Sequence, residues 1–186
     1  MTPFRIHWRA TLLSTGLAGA ALFSLVFLTP SLAPFGTQKY GPFVPRIVDG
    51  DTISSGEQTF RIAGVDTCEK GQPAKFPGYA EPINCGEYAS AFVSRFIGKS
   101  EVVCYDLGQR TYGRIVARCF LDEGWPTLRN DIGAFALESG WALPTDHATI
   151  SYAIAYQFKS FSARLKKNGF WNGEVENPAS WRHRNQ

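Results

Sequence analysis

Histidine is scarce in this 186-residue chain, and none of its three copies has a neighbour of its kind. His7, His147 and His183 are scattered, and the four cysteines form no Cys-x-x-Cys pair. A zinc site and a histidine-metal nuclease are both excluded by that spacing. Net charge is nearly missing as well. Nineteen lysines and arginines face 16 acidic residues, and setting aside Arg5 and Arg9 leaves 17 against 16 from Lys39 onward. Bulk charge therefore announces no nucleic-acid partner; local arginines and a bound cation must attract any polyanion. Internal repeats and low-complexity runs are absent too, which rules out a repeat architecture.

Charge is lacking altogether from Thr11 to Thr29. Nineteen helical residues would reach ~28 Å, enough to cross a bilayer core. Arg5 and Arg9 precede the run, so its start is expected to stay cytoplasmic and the rest to be exported. Residues 1–33 read as a signal peptide or a signal anchor. Ser31-Leu32-Ala33 loosely fits a cleavage site but is followed by Pro34, so both forms stay open. The expected location is periplasmic or extracellular, with tethering to the inner membrane by residues 10–29 if the leader is retained.

Chemistry is concentrated instead in Val48-Asp49-Gly50-Asp51-Thr52 and Phe60-Arg61-Ile62-Ala63-Gly64-Val65-Asp66-Thr67-Cys68-Glu69. Asp51 and Asp66 offer hard oxygen ligands to a divalent cation, and a backbone carbonyl, that of Thr67, would complete a set suited to calcium. Arg61 has the planar fork that grips phosphate, and Glu69 can poise a water. Asp-Gly is also an ordinary turn signal, so a plain turn at Asp49-Gly50-Asp51 remains the competing reading.

The order Asp-Gly-Asp-Thr, then Phe-Arg-x-x-x-Val-Asp-Thr-x-Glu, then Tyr112-Gly113-Arg114 resembles the staphylococcal nuclease (thermonuclease) family. The likeness runs from about Pro45 to Trp171. It implies an α+β fold: a five-stranded OB-type β-barrel with three packed helices, preceded here by the N-terminal hydrophobic helix. It also implies calcium on Asp51, Asp66 and Thr67, catalysis by Arg61, Glu69 and Arg114, and substrate contact by Tyr112. The implied reaction is calcium-dependent hydrolysis of DNA and RNA, single or frayed strands preferred, leaving 3′-phosphates. Two other readings stay open: a binding module without turnover, and a periplasmic accessory protein of envelope or exopolysaccharide production. A monomer is expected.

This sequence departs from the family pattern in places. Cys68 stands where proline is frequent, Thr111 replaces the lysine before the tyrosine, and the loop to Glu87 is longer. A second substrate tyrosine has no clear counterpart after Gly140, where Thr145, Asp146 and His147 lie.

The expected organisation is a linker over 34–45, the nuclease-like domain over 46–173 and a polar, loosely held tail over 174–186. Strands are expected over Arg46–Ile53, Gln58–Val65, Glu101–Tyr105 and Gly113–Leu121, and a surface loop over Cys68–Asn84. Helices are expected over Glu87–Ile97, Asn130–Gly140 and Thr149–Lys167. On the last, Ile150, Ile154, Phe158, Phe161 and Leu165 form an apolar stripe at helical spacing. Four cysteines allow three pairings. Cys104 and Cys119 lie equidistant from the Thr111-Tyr112 turn, while Cys68 and Cys85 bracket the long loop, so 68–85 with 104–119 is the expected pairing.

Overall fold

In the computed structural model, residues 38–122, 124–145 and 150–185 are described. The hydrophobic segment expected to be a leader or anchor lies outside them, as do Asp146 and His147. Among the described residues no helix is long and apolar enough to cross a membrane.

The largest sheet is mixed and six-stranded. Its members are β1 (Lys39–Phe43), β2 (Arg46–Asp49), β3 (Thr52–Ser54), β4 (Thr59–Ile62), β8 (Val102–Thr111) and β9 (Arg114–Leu121), in the order β1-β8-β9-β4-β3-β2. All neighbours are antiparallel except β4 and β9, which run parallel with Arg61 opposite Val116. The strand pairing among the described residues falls into three sheets. A two-stranded sheet joins β5 (Val65–Thr67) to β10 (Ala142–Pro144), and a three-stranded one joins β6 (Pro73–Lys75), β7 (Ile83–Asn84) and β11 (Glu174–Val175).

Several of these strands fall where irregular chain was expected. The linker contains β1, whose Tyr40 lies opposite Cys104. The surface loop contains β6 and β7, and the tail contains β11 and a helix. The expected strand Arg46–Ile53 is two strands, folded back at Gly50-Asp51 so that Ile47 faces Ile53. The long β8–β9 hairpin turns on only Tyr112 and Gly113. Both have positive φ, 47° and 77°, as a two-residue hairpin turn of the right twist requires.

Four helices are described, one more than expected: α1 (Cys85–Ile97), α2 (Ile132–Glu138), α3 (Ile150–Leu165) and α4 (Pro178–Asn185). Asn84 caps α1, accepting from the Glu87 amide at 3.4 Å while its own amide donates to the Glu87 carboxylate at 2.8 Å. That reciprocal arrangement explains a helix start two residues earlier than the apolar spacing indicates. Its buried face is Cys85, Gly86, Ala89, Val93 and Ile97. Tyr88 and Phe92 lie against the Trp141 ring, each 5.5 Å from its centroid.

The apolar stripe of α3 faces outward: Ile154, Phe161 and Leu165 are 56–69 % exposed, and Phe158 is 41 % exposed. Tyr152, Tyr156, Ser160 and Ala163 are the buried side chains. The reason is a polar requirement in the core. Arg118 on β9 and Asp131 before α2 form an ion pair with side chains 2 % and 0 % exposed. Asp131 also caps α2, accepting from the Ala134 amide at 3.0 Å, and accepts from the Tyr156 hydroxyl at 2.8 Å. Arg118 lies over the Phe120 and Tyr152 rings. A buried carboxylate needs hydrogen-bond donors, and the inward face of α3 supplies one through the Tyr156 hydroxyl.

One test follows from this network. Arg118→Met leaves the Asp131 carboxylate buried without its counter-ion, and urea denaturation is expected to show a loss of about 3–5 kcal/mol. A loss below about 1 kcal/mol would show that Asp131 is satisfied without the pair.

Candidate active site

Two aspartates on separate turns of chain are brought together by one arginine. Asp51 sits in the turn between β2 and β3, and Asp66 in the middle of buried β5. Arg61 reaches between them from β4: its Nη1 donates to Asp51 Oδ1 at 2.6 Å and its Nη2 to Asp66 Oδ1 at 2.8 Å. Burial opposes the Arg61 charge, but Asp51 and then Asp66 outweigh it and push its pKa up.

The turn holding Asp51 is real and is also part of the site. Asp51 Oδ1 accepts from the Thr52 hydroxyl at 2.9 Å, and Oδ2 accepts from the Thr67 amide at 3.3 Å. A side chain at Gly50 would meet Thr67 Oγ1 and Ala89 Cβ, both at 2.8 Å. Glycine here lets the turn sit directly on β5 and α1, which sets where the Asp51 carboxylate ends up.

Thr52 links Asp51 to the opposite wall. Arg114 Nη1 donates to its hydroxyl oxygen at 3.1 Å, and the Arg114 guanidinium lies 5.9 Å from the Tyr112 ring centroid. Tyr112 is 87 % exposed at the tip of the β8–β9 hairpin. An exposed ring beside a guanidinium is suited to stack on a base or sugar.

Glu69 is held by its backbone. Its amide donates to Gln72 Oε1 at 3.0 Å, and the buried Gln72 donates in turn to the Glu176 carbonyl at 2.8 Å. The structure joins Cys68 to Cys85, with Cα atoms 5.6 Å apart, so the residue before Glu69 is bonded to the first residue of α1. A Cβ at Gly86 would lie 2.4 Å from the Glu69 carbonyl oxygen, a close approach only glycine permits. A second disulfide joins Cys104 and Cys119, directly opposed on β8 and β9.

All seven candidate site residues (Asp51, Arg61, Asp66, Thr67, Glu69, Tyr112 and Arg114) line one cleft of about 590 Å³. Two more ionisable residues share it. Asp49 accepts from the Asp51 amide at 3.0 Å. Arg182, on α4, donates from Nη2 to Asp66 Oδ1 at 2.6 Å and from Nε to Glu69 Oε1 at 2.5 Å. Asp49 was visible in the Asp-Gly-Asp string; Arg182 carried no motif, only membership of a basic tail.

Two hard carboxylates converging on one delocalised cation have the donor chemistry that calcium takes. Among the described residues no group of three histidine, cysteine or acidic side chains is gathered as a metal cluster. A cation here would therefore rely on Asp51, Asp66 and backbone oxygen, with Thr67 the nearest candidate.

Paired carboxylates and facing guanidinium groups in one open cleft are the kind of donor set that phosphate-ester chemistry uses. Residues 59–173 match the family described as Staphylococcal nuclease homologue, and the chain belongs to that family. Its fold is accordingly OB-like, and nuclease chemistry, typically calcium-dependent, is the activity the family carries. The chain is also similar to the succinoglycan biosynthesis protein ExoI of Rhizobium meliloti (strain 1021), with 28 % identity over 139 residues, covering 73 % of this chain and 67 % of that protein. The family match begins after Asp51 and ends before Arg182.

Burial, and next the charge of Asp51, push the Asp49 carboxyl up to about 6. Ionising Asp49 thus opposes folding; its contribution is intact below the unfolded value and lost as pH rises through the folded one. In cation-free protein, wild type is expected to lose stability relative to Asp49→Asn between pH 3.8 and about 6. A constant difference between the two in urea melts across that window would show that Asp49 titrates normally.

Proposed function

We propose that this protein is an exported, calcium-dependent phosphodiesterase that hydrolyses DNA and RNA, prefers single or frayed strands, and leaves 3′-phosphates. The observation that carries the reading is the convergence of Asp51 and Asp66 on a single guanidinium, with Glu69 and Arg114 in the same cleft. Asp51, Asp66 and the Thr67 backbone would hold the ion, which when bound supplies positive charge at a phosphate oxygen.

The chain's own residues account for the remaining steps. Glu69 is placed to accept a proton from the attacking water. Arg61 and Arg114 offer charged forks that stabilise the extra negative charge as phosphorus becomes five-coordinate. Cleavage of the bond to the 5′ oxygen, which departs with a proton taken from solvent in the open cleft, leaves the phosphate on the 3′ side. Tyr112 gives a base or sugar a face to stack on, which requires an unpaired strand. Two disulfides suit an oxidising compartment, consistent with export, and residues 10–29 would hold a retained leader in the membrane. We take the working unit to be a monomer.

A second reading is favoured by one relative, whose name places it in succinoglycan biosynthesis. The protein would then serve exopolysaccharide production at the envelope, with weak or no turnover of nucleic acid. Retention of Arg61, Glu69 and Arg114 in one cleft favours the enzyme over a binding module.

The oxidised full chain is expected to degrade heat-denatured DNA with millimolar calcium and to stop when a chelator is added. Glu69→Gln should lower turnover by about 10²–10⁴-fold, the usual range for a lost general base. Full turnover by Glu69→Gln would remove the base assignment. Binding without cleavage, indifferent to calcium, would favour the module.

A further inference from the structure

Arg182 is the unexplained cation of the cleft. It comes from α4, beyond the residues that match the family, and it touches the two carboxylates on which the proposed reaction relies most. Its arrival there is built in. Asn177 caps α4, accepting from the Ala179 amide at 2.9 Å and the Ser180 amide at 3.3 Å. Just upstream, β11 pairs with β6, and the Glu176 carbonyl is held by buried Gln72. Gln72 therefore fastens the Glu69 backbone and the approach to α4 at once, through its two amide ends.

The geometry at the guanidinium is a bridge. Nε serves one oxygen of Glu69 and Nη2 serves Asp66 Oδ1, the same oxygen that Arg61 contacts. Among the described residues no hydrogen bond to the second carboxylate oxygen of Glu69 is found, and Glu69 lines the cleft. With a side chain 35 % exposed, Glu69 unsupported would sample several rotamers. A planar fork fixed to both groups removes that freedom.

We propose that Arg182 is a positioning residue of the active site, contributed by the C-terminal helix, which locks Glu69 against Asp66 so that the proton acceptor and the cation ligand keep a fixed separation. The inference rests on the nuclease reading for its consequence, though the bridge itself does not. Lysine would retain the charge without the planar two-point contact. The bridge also sets a positive charge beside the cation's ligand, so removing it strengthens cation binding while loosening the base.

The test uses the full, oxidised chain and the variants Arg182→Ala, Arg182→Lys, Glu69→Gln and Arg182→Ala/Glu69→Gln. Arg182→Ala should lower kcat roughly 10- to 100-fold with little change in KM, as a displaced catalytic group does. Arg182→Lys should fall between it and wild type. In the Glu69→Gln background the same alanine change should cost less than about 3-fold, because a residue acting through Glu69 has nothing left to position. Calcium titrated calorimetrically should bind Arg182→Ala several-fold more tightly.

A rise in kcat on removing Arg182 would make it a block rather than a support and overturn the proposal. So would a rise in KM alone, which marks an independent phosphate contact, or weaker calcium binding, which marks a general structural role. Thermal unfolding of the cation-free variants reads the bridge without any turnover. Non-additive changes in Tm for Arg182→Ala and Glu69→Gln support it, and additive ones overturn it. If wild type cleaves no nucleic acid while that coupling stands, the nuclease reading fails and the bridge survives.

Discussion

The contact of Arg61 with both Asp51 and Asp66 is the constraint around which the cleft is arranged. Two carboxylates with side chains 5 % and 10 % exposed would repel each other at this depth if nothing positive lay between them. The guanidinium satisfies both, and in doing so it ties β4 to the β2–β3 turn and to β5. Each of those elements has its own reason to be immobile. The turn rests on Thr67 and Ala89 through Gly50, and β5 is paired along its length to β10, Asp66 opposite Leu143. A phosphate or a cation entering the cleft meets ligands that are already placed, which is where electrostatic catalysis gains most.

Outside the cleft, a second buried cation does a different kind of work. Arg118 and Asp131 are sealed in the core, with side chains 2 % and 0 % exposed, so their pairing organises packing. Through Tyr156 it selects which face of α3 goes inward; through the cap on α2 it orients that helix against β9. The two arginine–aspartate systems resemble each other in sequence, each an arginine on a strand and an acid some residues on. Only burial and access distinguish them. Arg61 is 18 % exposed beside an open cleft, whereas Arg118 is sealed beneath Phe120 and Tyr152.

That difference explains what was legible in the sequence. The motif residues Asp51, Arg61, Asp66, Glu69, Tyr112 and Arg114 lie within short runs whose order is distinctive, and the structure gathers them in one place. Strand and helix positions were readable where periodicity was strong, as in β9 and α1. The inward face of α3 was not, because two sets of residues share helical spacing there. Hydrophobicity favours Ile154, Phe158, Phe161 and Leu165; the need to complete a buried ion pair favours Tyr152 and Tyr156, and it prevails. Short strands such as β6, β7 and β11 left no pattern either. β6 and β7 pair across a short stretch of chain, whereas β11 has its partner far away, Glu174 opposite Lys75, with Gln72 anchoring the join.

The same long-range logic accounts for Arg182. A C-terminal stretch with high charge and little apolar character would ordinarily be left in solvent, since it buries too little to offset its lost entropy. Here three separate attachments act together: β11 on β6, the Gln72 bridge to Glu176, and the double contact of Arg182 with Glu69 and Asp66. Together they hold the stretch against the body of the fold at three points. The Cys68–Cys85 bond closes the circuit by fixing the backbone just before Glu69 to α1. A carboxylate on a loop thereby acquires support from the disulfide on one side and from the chain's last helix on the other. The cleft's charged lining is consequently assembled from residues on both sides of the family-matched segment, with Asp51 ahead of it and Arg182 behind it.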